Sequence, residues 1–322
     1  MPKLLKINLK EGVHLYKNEL KKMKNSTLQH RDLYQEITDK VVEQLEQGFI
    51  PWQKPWKTCG STECLSHTTG KPYTFLNQML LGMSGQPSGE FLTFNQAIKE
   101  GGKVRKGERG SMVVFWCTGY TKKEVNDKGE EITVYKEYSV PILKHYYVFE
   151  VGQCDGIKRK YNQEQQPKSD VLQPVERAEE IVQNYFGRES VRLNIQKCDN
   201  AYYSPSQDIV VVPQLSQFSK VAEYYSTLFH EMTHSTGADC RLKRGFSSSQ
   251  RFGDTSYSKE ELVAEMGAAY LINHSGIDCA EAFKNSVAYI QSWLGELRND
   301  KKLLITAAGK AEAATRFILG EV

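Results

Sequence analysis

Two histidines one helical turn apart, with a glutamate next to the first, are the residues of this chain best suited to chemistry. They lie in the segment His230-Glu231-Met232-Thr233-His234. Residues i and i+4 of a helix share a face, so both imidazoles can bind one metal ion with bonds of about 2.0 Å. The Glu231 carboxylate would lie beside the ion, where it can take a proton from a bound water. The pattern predicts a zinc site with Glu231 as the catalytic base; the alternative is a pair of helix-surface histidines.

Two histidines leave zinc short of a protein ligand, and a later segment of helical spacing offers carboxylates. Glu261 and Glu265 are again one turn apart. We expect Glu261 to be the third ligand and Glu265 to orient a ligating histidine through its other ring nitrogen. Ser258 and Glu261 also form a capping box, which would only begin the helix. Glu260 is a weaker choice of ligand, and Cys240 lies in a predicted loop without a paired motif.

Three protein ligands with one open position indicate a catalytic rather than a structural zinc site. Peptide-bond hydrolysis is the reaction that such a constellation usually serves, with Glu231 passing the accepted proton to the leaving amine. The tetrahedral oxyanion also needs an electrophilic helper. The sequence leaves four candidates for it: Tyr202, Tyr203, Tyr257 and His274.

Helices must position these groups, and the apolar spacing predicts them. One helix covers about 219–235 and ends near Gly237, and a second begins near Ser258. Earlier in the chain, a helix over 33–49 precedes strand-like runs at 91–94, 112–117, 132–138 and 143–151. We therefore predict an α+β fold with a basic arm (1–27), a small α+β domain (28–151), a linker (152–174) and a mainly helical domain (175–322).

Composition bounds the class of protein. The 322 residues are 39% hydrophobic and 25% charged, which suits two packed domains. No apolar run is long enough for a membrane span or a Sec signal, and seven scattered cysteines form no disulfide framework. We expect a cytoplasmic protein without a membrane partner.

The net charge of +3 is unevenly distributed. Residues 1–151 hold 22 Lys and Arg against 17 Asp and Glu, whereas residues 152–322 hold 20 against 22. The N-terminal half is therefore the better candidate for binding a polyanion.

Aromatic and basic residues alternate in this half, a mixture that suits single-stranded nucleic acid because rings stack on bases and cations meet phosphates. The alternative is that the rings form the core of a small domain. The candidates are Trp52, Lys54, Trp56, Lys57, Lys71, Tyr73, Phe75, Lys103, Arg105, Lys106, Arg109 and Trp116.

Two further patterns are incomplete. Gly101-Gly102-Lys103 lacks the rest of a phosphate-binding loop, so we expect no nucleotide cofactor. Cys59 and Cys64 with His67 lack a fourth ligand, and we interpret them as a turn rather than a metal site.

Taken together, several phrases resemble the ArdC-type antirestriction proteins over about residues 30–320. In the N-terminal half they are Ile50-Pro-Trp52-Gln-Lys-Pro-Trp56, Thr69-Gly70-Lys71-Pro72-Tyr73, Asn77 and Lys106-Gly107-Glu108. In the C-terminal half they are Tyr202-Tyr203-Ser-Pro205, Asp208-Ile209, His230-Glu-Met-Thr-His234-Ser-Thr-Gly237, Glu260-Glu-Leu-Val-Ala-Glu265 and Ala288-Tyr-Ile-Gln-Ser-Trp293-Leu. The segment from Cys59 to His67 and the lysine-rich arm depart from the family pattern.

The resemblance implies a plasmid- or transposon-borne protein that protects incoming DNA from restriction during conjugation. Its N-terminal domain would bind single-stranded DNA, with Asn77 added to the contacts, and its C-terminal domain would be a zincin-like metallopeptidase. His230 and His234 match the family's zinc ligands, Glu231 its base and Glu261 the downstream acid. The protein substrate is not implied.

Two other functions fit the same residues. The chain could coat single-stranded DNA while a structural zinc stabilises the C-terminal domain. It could also be a protease that removes proteins crosslinked to DNA.

Overall fold

The computed structural model describes residues 31–53, 63–86, 89–125, 130–161, 174–245, 255–278 and 287–321. The predicted arm, 1–27, and most of the predicted linker lie outside these ranges. In the N-terminal half the helices are α1 (Leu33–Glu46), α2 (Phe75–Met83) and α3 (Phe94–Lys99). The strands are β1 (Leu65–Ser66), β2 (Glu90–Thr93), β3 (Lys103–Val104), β4 (Ser111–Val125), β5 (Glu131–Glu150) and β6 (Cys154–Asp155).

Helix α1 forms where its apolar spacing predicts. The Asp32 side chain accepts a hydrogen bond from the Gln35 amide and caps the first turn. The apolar stripe from Leu33 to Leu45 is buried. Phe49 does not continue this stripe, because the helix has ended and the ring is 59% exposed.

The main sheet of this half has the order β1-β2-β5-β4. Strands β1 and β2 are parallel, and the other pairs are antiparallel. The predicted run at 91–94 nearly coincides with β2. The run at 112–117 was too short, since β4 continues to Val125, and the last two runs form one strand of 20 residues, β5. Together β4 and β5 make a long two-stranded ribbon.

The C-terminal half contains a three-stranded sheet and five described helices. The sheet has the order β7-β9-β8, from Arg192–Gln196 (β7), Tyr202–Ser204 (β8) and Ile209–Pro213 (β9). The helices are α4 (Pro174–Arg188), α5 (Val221–Ser235), α6 (Thr255–Ser275), α7 (Val287–Asn299) and α8 (Leu303–Leu319). The mixed helix and sheet content agrees with the predicted α+β class.

One hydrophobic cluster joins the two halves. Residues of α1 and α2 pack in it with residues of α6, α7 and α8, and Trp52 lies at the contact. A second cluster fills the C-terminal half between α4, β9, α5 and α6. The first part of the predicted linker is also packed, since β6 pairs with β3 and the Glu90 carboxylate accepts bonds from the amides of Lys160 and Tyr161. These contacts place residues 152–161 with the N-terminal half.

None of the helices in the described ranges combines the length and the apolar character that crossing a bilayer requires.

Candidate metal centre

Helix α5 presents the two predicted histidines on one face. Its opposite face is fixed in the core by Leu228, Phe229 and Met232, which are fully buried. The ring centroids of His230 and His234 are 4.7 Å apart, and their Nε2 atoms are separated by 3.1 Å. Both Nε2 atoms therefore point to the same small volume.

The third group at this volume comes from α6. The Glu261 carboxylate lies 3.4 Å from His230 Nε2 and 3.2 Å from His234 Nε2. One ligand atom from each of the three residues lies within 4.8 Å of the others. The side chains of His230 and Glu261 keep 17% and 18% of their surface exposed, so the cluster can be reached from solvent.

A glycine lets the two helices approach closely enough to form this cluster. At Gly267, an added Cβ would lie 2.6 Å from side-chain atoms of Thr233, which is on α5 between the two histidines. The Thr233 hydroxyl is itself bonded to the Phe229 carbonyl, 2.8 Å away. Only the missing side chain of Gly267 allows α6 to pack against α5 at this distance.

Two further carboxylates of α6 lie behind the histidines. Glu265 Oε1 is 3.8 Å from His230 Nδ1, and Glu260 Oε1 is 3.6 Å from His234 Nδ1. Each ring thus faces Glu261 with one nitrogen and an outer carboxylate with the other. Such partners orient metal-binding imidazoles and select their tautomer.

Glu260 is fixed by a buried arginine. Arg244 Nη2 lies 2.6 Å from Glu260 Oε1, and Arg244 also donates to the Thr233 carbonyl at 2.7 Å and to the Thr236 hydroxyl at 2.6 Å. Both ionic side chains are nearly inaccessible, with 4% and 8% of their surface exposed. Arg244 therefore links the end of α5 to the carboxylate that backs His234.

The charges of the cluster shift its titration. Burial alone would lower the pKa of His234, but Glu260 and Glu261 outweigh it and raise that pKa to about 10. Burial likewise opposes the change at His230, where Glu261 raises the pKa. At Glu261 burial would raise the pKa, but the two histidines hold it well below its ordinary value. The carboxylates around the two imidazoles therefore favour a positive charge at the rings.

This donor set fits a divalent metal ion. Two imidazole nitrogens and one carboxylate oxygen converge, as three-ligand catalytic zinc sites require. Glu231, the predicted base, is 8% exposed, and its charge acts on both histidines.

The alternatives for the third ligand are placed elsewhere. Helix α6 begins at Thr255, so Ser258 is inside the helix and does not cap it. Glu260 is bound to Arg244, and Cys240 lies exposed in the turn after α5.

The candidate oxyanion helpers are less well supported by the geometry. The Tyr203 hydroxyl donates to Asp208 at 2.8 Å, and the His274 ring stacks on Tyr270. Tyr202 is 48% exposed on β8, and the side chain of Tyr257 lies outside the described part of the structure.

The N-terminal half reaches the cluster through Gln53. Its Nε2 atom lies 3.5 Å from Glu265 Oε2, the outer carboxylate of His230. The neighbouring Trp52, predicted to bind DNA, is only 1% exposed and packs edge to face on Trp293. In this position the Trp52 ring belongs to the core and cannot stack on a base, so the core alternative applies to it.

Asn77, also predicted to bind DNA, is a structural residue. Its side-chain amide donates to the Val114 carbonyl and accepts from the Val114 amide, both at 2.8 Å. It thereby attaches α2 to strand β4.

The other predicted DNA contacts have different positions. Lys71, Lys106 and Arg109 are exposed, and Tyr73 is half-buried against Phe91. Three more lie outside the described residues: Lys54, Trp56 and Lys57.

The buried His67 ring lies between two carboxylates. Its Nδ1 lies 2.5 Å from Glu90 and its Nε2 lies 2.9 Å from Glu100. Cys64 is buried nearby, where burial raises the pKa of its thiol to about 12. His67 thus connects β2 to the end of α3, while Cys59 lies outside the described residues.

Sequence reasoning missed Arg244 and Gly267. Arg244 follows a loop with no periodic signal, and a glycine inside a helix is ordinarily only a local weakness. The helix spacing that revealed the histidines carried no information on either residue.

Two families match the two halves of the chain. Residues 31–149 match the N-terminal domain of anti-restriction factor ArdC, and residues 176–310 match a zincin-like metallopeptidase. The Mn(II)-bound crystal structure of antirestriction protein ArdC from plasmid R388 is similar, with a TM-score of 0.69 and 32% identity. The similarity covers 90% of this chain and 98% of that one.

Two curated relatives extend the comparison. A DNA primase TraC of Escherichia coli is 32% identical over 300 residues, which are 90% of this chain and 27% of that protein. The chain thus spans about a quarter of that relative's length. The protein y4eC of Sinorhizobium fredii is 32% identical over 290 residues, covering 87% of this chain and 89% of that protein.

Proposed function

The chain belongs to the ArdC family of antirestriction proteins, which confirms the resemblance drawn from its motifs, and we propose that it couples single-stranded DNA binding to a zinc peptidase site. The N-terminal half would bind the strand, and the zincin-like half would hold zinc between His230, His234 and Glu261. The protein would act in the cytoplasm on DNA entering by conjugation and protect it from restriction.

One observation carries the metal part of this proposal. Three donors of the types that zinc prefers converge within 4.8 Å on two helices of a zincin-like domain. The R388 relative binds Mn(II), a divalent ion, in its crystal structure. Zinc rather than manganese is our choice because imidazole nitrogens suit it.

The residues around the ion have separate tasks. A bound zinc ion supplies Lewis acidity, which polarises a carbonyl and acidifies a water molecule. Glu231, next to His230 on α5, would accept the proton of the attacking water and deliver it to the leaving amine. Glu260 and Glu265 would hold the two imidazoles in the tautomer that leaves Nε2 free to bind metal.

The DNA part depends on the N-terminal half. It matches the ArdC N-terminal domain, and its net charge is positive whereas that of the C-terminal half is negative. Lys71, Lys106 and Arg109 are exposed cations there, suited to phosphates.

A Glu231→Gln variant tests the enzymatic part. We expect it to bind zinc and single-stranded DNA as the wild type does, but to lose cleavage of a casein or peptide substrate. The second readout is plasmid transfer into a restricting recipient. A loss of protection in the variant supports a peptidase in antirestriction.

Full protection by the variant would instead favour a protein that coats DNA and uses the ion to stabilise its fold. Retained cleavage would refute the assignment of Glu231 as the base.

A further inference from the structure

The outer part of the β4–β5 ribbon has two strands and no third strand beside it in the described part of the chain. Strands β4 and β5 pair with each other from Gly119 to Val125, whereas β2 joins β5 only at the opposite end. A lone two-stranded ribbon is marginal in water. On the face of Tyr120 it also exposes large side chains, including 43% of Tyr120 and 40% of Ile132. Such a surface is suited to a partner.

Four aromatic rings lie in two pairs along one face of the ribbon, and we call them the aromatic strip: Phe115, Tyr120, Tyr138 and Tyr146. The Phe115 and Tyr146 centroids are 5.6 Å apart, and those of Tyr120 and Tyr138 are 5.4 Å apart. Phe115, Tyr120 and Tyr146 have 42%, 43% and 36% of their surface exposed. The rings are therefore open to planar ligands.

A break in the strand alternation makes the strip continuous. Successive residues of a strand point to opposite faces, so Phe115 and Tyr120 would ordinarily be on different sides. The register shifts between Cys117 and Gly119, which returns Tyr120 to the face of Phe115. The contact between the Lys144 side chain and the Tyr138 ring then joins the two ring pairs.

Basic side chains accompany the rings. Lys144 is opposite Phe115, and its Nζ lies 5.7 Å from the Tyr138 ring centroid. Lys136 is opposite Tyr120 and, with Lys122, lies beside a single carboxylate, Glu124. The three lysines outnumber the acid that pairs with them, so this face is complementary to an anion.

We propose that the aromatic strip is the surface on which single-stranded DNA lies, with bases stacked on the two ring pairs and a phosphate at Lys144. The proposal rests on the single-strand binding proposed above and assigns it to residues outside the recognised motifs. Flat rings interleaved with cations match an unpaired strand, because every base has a stacking face and each nucleotide adds one negative charge. A duplex hides those stacking faces.

The experiment measures binding of a fluorescent 20-nucleotide oligothymidine to the full chain by anisotropy, with a duplex of the same length for comparison. The variants Phe115→Leu, Tyr120→Leu and Tyr146→Leu remove one ring each. The matched control is Tyr135→Leu, since Tyr135 is at least as exposed but lies on the opposite face, bonded to Thr118. Tyr120→Phe and Tyr146→Phe keep the rings and remove only the hydroxyl groups.

We expect each ring-removing variant to weaken binding by about 5- to 150-fold, as the loss of one stacked base predicts. The control and the Phe variants should bind as the wild type does. Lys144→Gln should lower the slope of log affinity against log salt by about 0.7, the value for one phosphate contact on a single strand. The control for charge is Lys123→Gln, a lysine with 77% of its side chain exposed that pairs with Glu131.

Three results would contradict the proposal in different ways. Wild-type affinity in all ring-removing variants would overturn the strip while leaving single-strand binding intact. Failure of the wild type itself to bind the oligonucleotide would refute the proposed function as well. If the variants abolish a wild-type dimer in sedimentation without changing DNA affinity, the strip is a contact between two copies of the chain.

Discussion

The indole rings of Trp52 and Trp293 meet edge to face, with centroids 5.2 Å apart. One belongs to the N-terminal half and the other to α7 of the zincin-like half. Both rings are almost fully buried, at 1% and 4% exposure. The next residue after Trp52, Gln53, contacts Glu265 behind the candidate metal ligands. The segment that the motifs assign to DNA binding therefore also contacts the residues behind the candidate metal site.

Trp52→Ala should destabilise the whole chain. Replacing a buried Trp by Ala costs about 3–5 kcal/mol, because apolar contact is lost and a cavity remains. Urea denaturation followed by circular dichroism measures the change in free energy of unfolding. The control is Trp116→Ala, where the ring is 52% exposed and the expected loss is much smaller. Equal losses in the two variants would show that the Trp52 ring does not join the halves.

Gly267→Ala should separate α5 from α6 and weaken metal binding. The new methyl group would lie 2.6 Å from Thr233, so the helices or the threonine must move. Overpacking of this kind costs about 1–3 kcal/mol. Gly295→Ala in α7 is the control, since a Cβ there meets nothing within 4 Å. Competition with a chromophoric chelator measures the affinity, and unchanged zinc affinity in Gly267→Ala would refute the role of the close approach.

Glu260→Gln and Glu265→Gln should separate two functions of the outer carboxylates. Both variants remove a partner of a ligating imidazole, so we expect each to lower zinc affinity by about 10- to 100-fold. Glu260→Gln also leaves the buried Arg244 cation without its carboxylate and should cost about 3–5 kcal/mol of stability. Chelator competition and urea denaturation measure the two effects. A loss of stability as large in Glu265→Gln would contradict this division.

Acid should weaken the contact between Asp208 and Arg241, which supports the end of α5. Burial would raise the pKa of Asp208, but hydrogen bonds from Arg241 and Tyr203 outweigh it and lower that pKa. Arg241 also donates to the Ser235 carbonyl at 2.7 Å, so Asp208 supports the helix through it. A lowered native pKa means that Asp208 stabilises the fold above its unfolded pKa of about 3.9, and that this contribution is lost as the pH falls through the native value.

Urea denaturation from pH 6 to pH 2.5 checks this dependence. The stability difference between wild type and Asp208→Asn should be largest near pH 6 and shrink below pH 4. Asn tolerates the left-handed backbone at this position, where φ is 46°. A difference that stays constant with pH would contradict the assignment.

The sequence predicts the inner part of the site because its signal is local. A spacing of four residues on a helix places His230 and His234 together wherever the helix lies. The same rule applied to α6 brings out Glu261 and Glu265. The choice of Glu261 over Glu260 depends on how α6 is rotated against α5, which the spacing does not determine.

The remaining features depend on packing between distant segments. Arg244 and Gly267 act through contacts that no periodicity encodes. Trp52 is of a residue type that often stacks on bases, but helices of the other half cover its ring. The aromatic strip depends on one register shift in a ribbon that the apolar pattern divides into shorter runs.

The central claim is that His230, His234 and Glu261 together hold one divalent metal ion. An anomalous difference map from crystals grown with zinc and measured at the zinc absorption edge tests it directly. We predict a single strong peak about 2.0–2.2 Å from both Nε2 atoms and from a Glu261 oxygen. An empty map at this position under zinc-saturating conditions, or a peak bound by other residues, would contradict the account.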